Sequence, residues 1–472
     1  MYNFTVPDHI SSKRTSLVDK LSTPFVFTVY SLMVLAAFMC VIRYGRNIPL
    51  AEDWLLVAPL TGNEPDILNW IWLQNNEHRI PFPKVVMLGL IKLTNGNFKA
   101  GMYANVLLLS SLSVGVLLFL RKLRGGRTKY ADAFIPILLL HIGNWENLVW
   151  SWQLSFVLPT VLTLVFFLIL IKNPLQNKPG AAIMSGLILI SLPLSGGNGL
   201  LFVPFLALWL LYCTSYNWRN QAVNQGRNLV CSVLLTCSIA SILLCGIYFI
   251  GYQRATWNPP SPGIIESIKT SGKFVVLSVG PAVKYSLKIA VLALVLTFGL
   301  IAWCMYLVMN ASLQKKETIE QHRAWVIFMF FCIMVVFSLA IGWGRAGLVP
   351  QYGMPDRYVL FASPILFICF FASEYFERKN FIQVILFIMM FVLIPSNTRA
   401  GFKWREWYQK GIMALEMDMS KKLPNIELAR QNKTFLIHWW EDEKLVSHIE
   451  MMEDVESSPF YKPATKEQNK NQ

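Results

Sequence analysis

The sequence predicts an all-α polytopic membrane protein with about 11 transmembrane helices. Three observations carry that prediction. Of 472 residues, 54% are hydrophobic and only 15% are charged. The apolar residues come in blocks of about twenty, the length that crosses a hydrocarbon core of roughly 30 Å as a helix. The Lys and Arg behind the net charge of +15 sit mostly in short connections between blocks, where membrane topology rather than a nucleic-acid surface puts them. Membrane lipids are therefore an expected partner and nucleic acid is not. The eight Cys fall in or beside apolar blocks without CxxC or Cys/His spacing, so neither a disulfide framework nor a thiolate metal site is indicated.

Lys13, Arg14 and Lys20 precede the first block, Pro24 to Ile42. That block is long for a signal peptide and lacks a small-residue cleavage site, so it reads as a retained helix with a cytoplasmic N-terminus. The polar and aromatic stretch from Arg43 to Lys84 is then extracytoplasmic. Within the same outer loop (43–99), the apolar run Val85 to Leu93 is too short to span and reads as a helix lying at the interface or re-entering. Ala100 to Leu120 returns inward to RKLRGGRTK, five cations in nine residues. Ala133 to Ile142 and Leu154 to Ile171 form an outward and inward pair around GNWENLVWSWQ. Ala181 to Leu194 and Leu200 to Cys213 form another around Ser195 to Gly199. Leu229 to Ile250 exits to an outer loop, Gly251 to Tyr285, whose Pro259, Pro260 and Pro262 favour irregular backbone. Ile289 to Met309, Trp325 to Ile341, Val359 to Ala372 and Phe381 to Ile394 complete the spans. Residues 1–394 thus read as the transmembrane domain and 395–472 as an extracytoplasmic C-terminal tail. In that tail GFKWREWYQKGIMALEMDM has the character of an interfacial helix, and SSPFYKPATKEQNKNQ the composition of a frayed end.

The unusual residues fall on one side of this topology. The first outer loop holds Glu52, Asp53 and Trp54, then Glu77, His78 and Arg79. The second holds Glu146, the third Asn198, and a later one Arg345, Asp356, Arg357 and Tyr358. Carboxylates beside guanidiniums at a membrane surface suit an acidic lipid headgroup, because a carboxylate can deprotonate a hydroxyl and Arg holds phosphate bidentately. Each also has a plain structural reading: an acidic first turn for Glu52 and Asp53, snorkelling for His78 and Arg79, a cap for Glu146, an interface anchor for Arg357.

One spanning helix, a large outer loop opening on Glu52-Asp53-Trp54, many short-looped helices and an outer tail together resemble the GT-C superfamily of integral membrane glycosyltransferases. Within it they are similar to bacterial or phage-type O-antigen glucosyltransferases. The likeness covers most of the chain in architecture and short motifs in residues. It implies an enzyme of the bacterial inner membrane that takes a sugar from a polyprenyl-phosphate-linked donor. The sugar goes, with inversion, to a surface polysaccharide, O-antigen or lipid-linked glycan acceptor on the periplasmic face. It further implies Asp53 as general base with Glu52 beside it, and Glu146 as a second acid. His78, Arg79, Arg345 and Arg357 would surround the donor phosphate, and Trp54, Glu77, Asn198 and Tyr358 the sugar or acceptor. No cofactor is required, and a divalent metal is compatible with the chemistry. Two rival classes share the substrates. A transporter or flippase of lipid-linked oligosaccharide calls for mid-membrane ionisable residues and inverted repeats. An O-antigen polymerase lengthens a chain instead of adding one sugar.

Overall fold

The computed structural model describes residues 17–220, 225–313, 318–349, 353–377 and 379–462. Lys13 and Arg14, on which the cytoplasmic N-terminus rests, lie outside them, as does the end of the tail after residue 462. The described residues are helical and contain no strand. The principal helices are α1 (Leu17–Tyr44), α2 (Pro81–Leu93), α3 (Lys99–Leu123), α4 (Phe134–Leu140), α5 (Leu154–Lys172), α6 (Pro179–Ser191), α7 (Val203–Asn220) and α8 (Gln225–Phe249). They continue with α9 (Ile264–Val276), α10 (Leu287–Ser312), α11 (Ile319–Arg345), α12 (Tyr358–Phe376), α13 (Phe381–Ser420), α14 (Asn425–Leu436) and α15 (Asp442–Glu453). Eight of these, α1, α3, α5, α8, α10, α11, α12 and α13, are long and apolar enough to cross a membrane. The chain is a multi-pass helical membrane protein in its architecture.

Hydrogen bonds between remote segments define two ends of the bundle. At one end Ser22 Oγ donates to Thr128 O at 2.6 Å and Arg323 Nε to Ile171 O at 3.1 Å. At the other, Arg79 Nε donates to Tyr248 O at 3.1 Å and Asn397 Nδ2 to Val279 O at 2.8 Å. The first end is locked by an ion cluster. Arg124 Nη1 meets both Asp132 oxygens at 2.8 and 2.7 Å, while its Nε and Nη2 meet Glu374 at 2.7 and 2.6 Å. Lys129 Nζ adds bonds to Glu374 at 2.8 Å and Asn380 Oδ1 at 2.7 Å. The Arg124 side chain is only 9% exposed and that of Glu374 6%. Removing one partner leaves a buried charge uncompensated, so Glu374→Ala is expected to destabilise the fold by about 3–5 kcal/mol. The check is thermal melting of the detergent-solubilised chain, in which equal melting of variant and wild type would deny the cluster any such part.

Several expected elements are built differently. The outward helix over 133–142 stops after seven residues at Leu140, about 10 Å of helix against a 30 Å core. The chain then runs through residues 141–153 as short turns of helix and irregular backbone, buried almost throughout, where protein rather than lipid satisfies the main chain. The helices expected at 181–194 and 200–213 are α6 and α7, of 13 and 18 residues. The loop 251–285 contains α9, which packs on α11. A Cβ on Gly342 would lie 2.0 Å from Ser271 Oγ, so this approach needs glycine. The last apolar block and the expected interfacial helix are one 40-residue helix, α13, that carries Pro395 inside it. At about 60 Å it is twice the hydrocarbon thickness, so its C-terminal half projects as a post beyond the bundle.

That post organises a second hydrophobic core, separate from the one inside the bundle. It joins Ile48, Trp54, Trp70 and Phe98 of the first loop to Trp150 and Trp152, to Tyr408 and Leu415 of α13, and to Leu428, Leu445 and Phe460 of the tail. The first part of the expected frayed end is therefore pinned. Phe460 is buried with its ring 5.9 Å from that of Trp54. Asn47 Nδ2 donates to Ser457 O at 2.7 Å, and Ser457 Oγ to Asn95 O at 2.6 Å. At Gly96 (φ +88) a Cβ would sit 2.4 Å from Val455 Cγ1, so a larger residue would both strain the turn and lift the tail. This layer is thus one folded unit made from loop 43–99 and the tail.

Candidate functional site

Beneath this layer, where it meets the bundle, lies a cavity of about 820 Å³. Its walls come from six separate segments. The first loop contributes Glu52 and the turn Asn75 to His78; the start of α5 contributes Trp150, Trp152, Gln153 and Phe156. Asn198 comes from the turn before α7, and Trp257 from the stretch after α8. The end of α11 and the start of α12 contribute Arg345, Arg357 and Tyr358, and the tail closes the rim with His438 and Trp439. Of the residues expected from sequence, seven meet here: Glu52, Glu77, His78, Asn198, Arg345, Arg357 and Tyr358.

Local chemistry explains how each is placed. The turn at Asn75–His78 closes on itself through Asn75 N to His78 O at 2.8 Å and His78 N to Asn75 O at 2.9 Å. Asn76 takes the left-handed conformation (φ 50), which Asn tolerates better than most residues. From there its Nδ2 donates to Glu52 Oε1 at 3.3 Å. Glu52 Oε2 is buried and has no hydrogen-bond partner among the described residues. Burial pushes the Glu52 carboxyl above its usual range, Arg357 pulls against that, and Glu146 adds to it. His78 is held down to about 4 by burial and by the Arg345 guanidinium, so it stands as a neutral imidazole at physiological pH.

The two arginines are each steered by a carboxylate. Arg357 Nη1 donates to Glu146 Oε1 at 2.6 Å and its backbone N to Glu146 Oε2 at 2.9 Å. Glu146, buried behind the wall, thus aims Arg357 rather than facing the cavity itself. Arg345 Nη2 pairs with Glu77 at 2.9 Å and its Nε donates to Tyr358 OH at 2.8 Å. Glu77 also accepts from Asn258 Nδ2. A guanidinium has five N–H groups, so Arg357 Nε and Nη2 and Arg345 Nη1 remain without a hydrogen bond among the described residues. The site therefore combines one carboxylate with a free oxygen, a neutral imidazole and two guanidiniums with unspent donors.

Asp53, Trp54 and Arg79 lie elsewhere. Asp53 is fully buried beneath the loop and its Oδ2 accepts from Leu50 N at 3.3 Å, across a turn that Trp150 Nε1 fixes by donating to Leu50 O at 3.1 Å. Burial pushes its carboxyl well above the usual carboxylate range. Trp54 is fully buried in the second core. Arg79 donates to Tyr248 O, Trp72 O and Ile250 O at 3.1, 3.0 and 2.9 Å, which bolts the first loop to the end of α8. Three of its five N–H groups go to carbonyls, and it does not line the cavity.

His438, Trp439, Trp257, Trp150, Trp152 and Gln153 were not singled out from sequence. Clustered tryptophans in polar connections, HWW in the tail and WSWQ before α5, are the signal that marks all of them but Trp257, which stands alone in TWNPP. A crevice of only about 10 Å³, room for a single water-sized group, adjoins the cavity at Asn198 between Thr160, Thr163, Phe202 and Phe361. Among the described residues no three His, Cys, Asp or Glu side chains converge as a metal site. In comparisons with known proteins, no family model and no curated protein matches the chain.

Proposed function

We propose that the chain is a membrane glycosyltransferase that moves a sugar from a polyprenyl-phosphate-linked donor, undecaprenyl-phosphate-linked in bacteria, onto a hydroxyl of a surface polysaccharide, O-antigen or lipid-linked glycan. It works at the periplasmic face of the inner membrane. The observation that carries this reading is the free, buried Oε2 of Glu52 in the cavity that Arg345 and Arg357 also line. Glu52 takes the proton of the acceptor hydroxyl, the acceptor oxygen attacks the anomeric carbon, and the bond from that carbon to the donor phosphate oxygen breaks with inversion. The departing polyprenyl phosphate keeps the bonding pair, and its charge meets the unspent N–H groups of Arg345 and Arg357. Because phosphate is a fair leaving group, positioning and charge neutralisation supply much of the rate.

In this scheme the base is Glu52 rather than its neighbour. Asp53→Asn is expected to keep transfer within about ten-fold of wild type, because Asn copies the neutral form that burial favours and its amide oxygen still accepts from Leu50 N. Loss of transfer in that variant, with the protein folded, would return the role to Asp53. The experiment that tests the reading is transfer from a radiolabelled polyprenyl-phosphate sugar followed against pH. The active form of Glu52 is ionised and its carboxyl is raised, so the rate is expected to climb with pH through a value above the ordinary glutamate range of about 4.3. His78, neutral above about 4, adds no limb near neutrality. A flat profile across this window in wild type would remove Glu52 as base.

A further inference from the structure

Two tryptophans at the cavity are not explained by packing. Trp257 is 54% exposed and Trp439 44% exposed, although both line the cavity. The packing of the turn that carries Trp439 is done by its neighbour Trp440, which is buried with Lys444 Nζ 4.3 Å from its ring centroid and the His448 ring at 4.6 Å. That turn joins α14 to α15, both anchored in the second core, so Trp439 stands on a fixed wall.

The lining of the same cavity is rich in uncharged amides. Asn75, Asn76, Gln153 and Asn198 all contribute. Gln153 is 1% exposed, and its Oε1 has no hydrogen-bond partner among the described residues; neither has Asn75 Nδ2. An amide both donates and accepts, which matches a hydroxyl, and an indole offers a flat apolar face for the C–H side of a pyranose ring.

We infer that Trp257 and Trp439 form a glycan subsite at this cavity, which holds a neutral oligosaccharide whose hydroxyls bond to Gln153 and Asn75. That the bound glycan is the acceptor of a sugar rests on the glycosyltransferase reading; the binding itself does not. Trp439 and Trp257 hold the glycan and take no part in the proton transfer or in the bond being made.

The test is binding of the full-length chain in detergent micelles to immobilised fragments of bacterial O-polysaccharide and core oligosaccharide, with mononucleotides alongside. Wild type is expected to bind a subset of the oligosaccharides. Trp439→Ala and, in a separate segment, Trp257→Ala should each weaken that binding about ten-fold or more, while Trp439→Phe restores most of it. Both positions are half exposed, so the variants should melt as wild type does. Undiminished binding by both alanine variants overturns the subsite, as does binding of no oligosaccharide, or of nucleotides instead, by wild type. Tryptophan-dependent binding by a chain that transfers no sugar would keep the subsite and remove the transferase reading. Sugar transfer with tryptophan-independent binding would do the reverse.

Discussion

Glu52→Gln is expected to lower sugar transfer by about 10²–10⁴-fold, the range over which a positioned general base acts. Gln keeps the shape of the side chain and its acceptance from Asn76 Nδ2, so the turn at Ala51–Leu56 should stand. What it loses is the basic oxygen, Oε2, that has no partner in the protein. The loss should therefore fall on kcat with KM little changed, since the group matters as the acceptor proton leaves and not in holding the substrates. It should also remove the acidic limb of the pH profile, because the titrating group is gone.

Arg357→Ala is expected to cost about 10²–10³-fold in transfer, the scale of losing one donor aimed at developing charge. It carries a second effect that has to be separated. Arg357 is the ionic partner of the buried Glu146, and removing it leaves that carboxylate with only backbone support. Instability from an orphaned charge is then expected alongside the kinetic loss. Arg357→Ala combined with Glu146→Gln relieves the orphan, so the pair should regain melting temperature without regaining transfer. Recovery of transfer in the double variant would mean that Arg357 serves the fold alone.

The polytopic helical character was legible because apolar run length is a local property, readable without any contact between segments. What was not legible was decided by contacts across long stretches of chain. Glu52 and Asp53 are adjacent and equally acidic, and in a tight 3₁₀ turn successive side chains point about 120° apart. Which one faces the cavity is decided by Trp150 fixing Leu50 and by Phe460, some four hundred residues on, packing against Trp54. The tail's share in the site was hidden for the same reason: Trp439 reaches the cavity only because α14 and α15 dock on the first loop. Arg79 looked like a phosphate ligand because a free arginine and one spent on three carbonyls read identically in sequence. Pro395 reads as the end of a helix, but within a long apolar helix neighbouring groups can satisfy the freed carbonyl, and α13 runs on through it.

The decisive measurement is the fate of the labelled sugar in proteoliposomes that hold the purified chain, a polyprenyl-phosphate-linked donor labelled in its sugar, and acceptor glycan. Glycosyl transfer predicts that label leaves the lipid and appears as a single residue on the acceptor, with the anomeric configuration inverted, in wild type and not in Glu52→Gln. Label that stays on the polyprenyl phosphate while crossing between leaflets, or that moves equally well in the Glu52 variant, would contradict it.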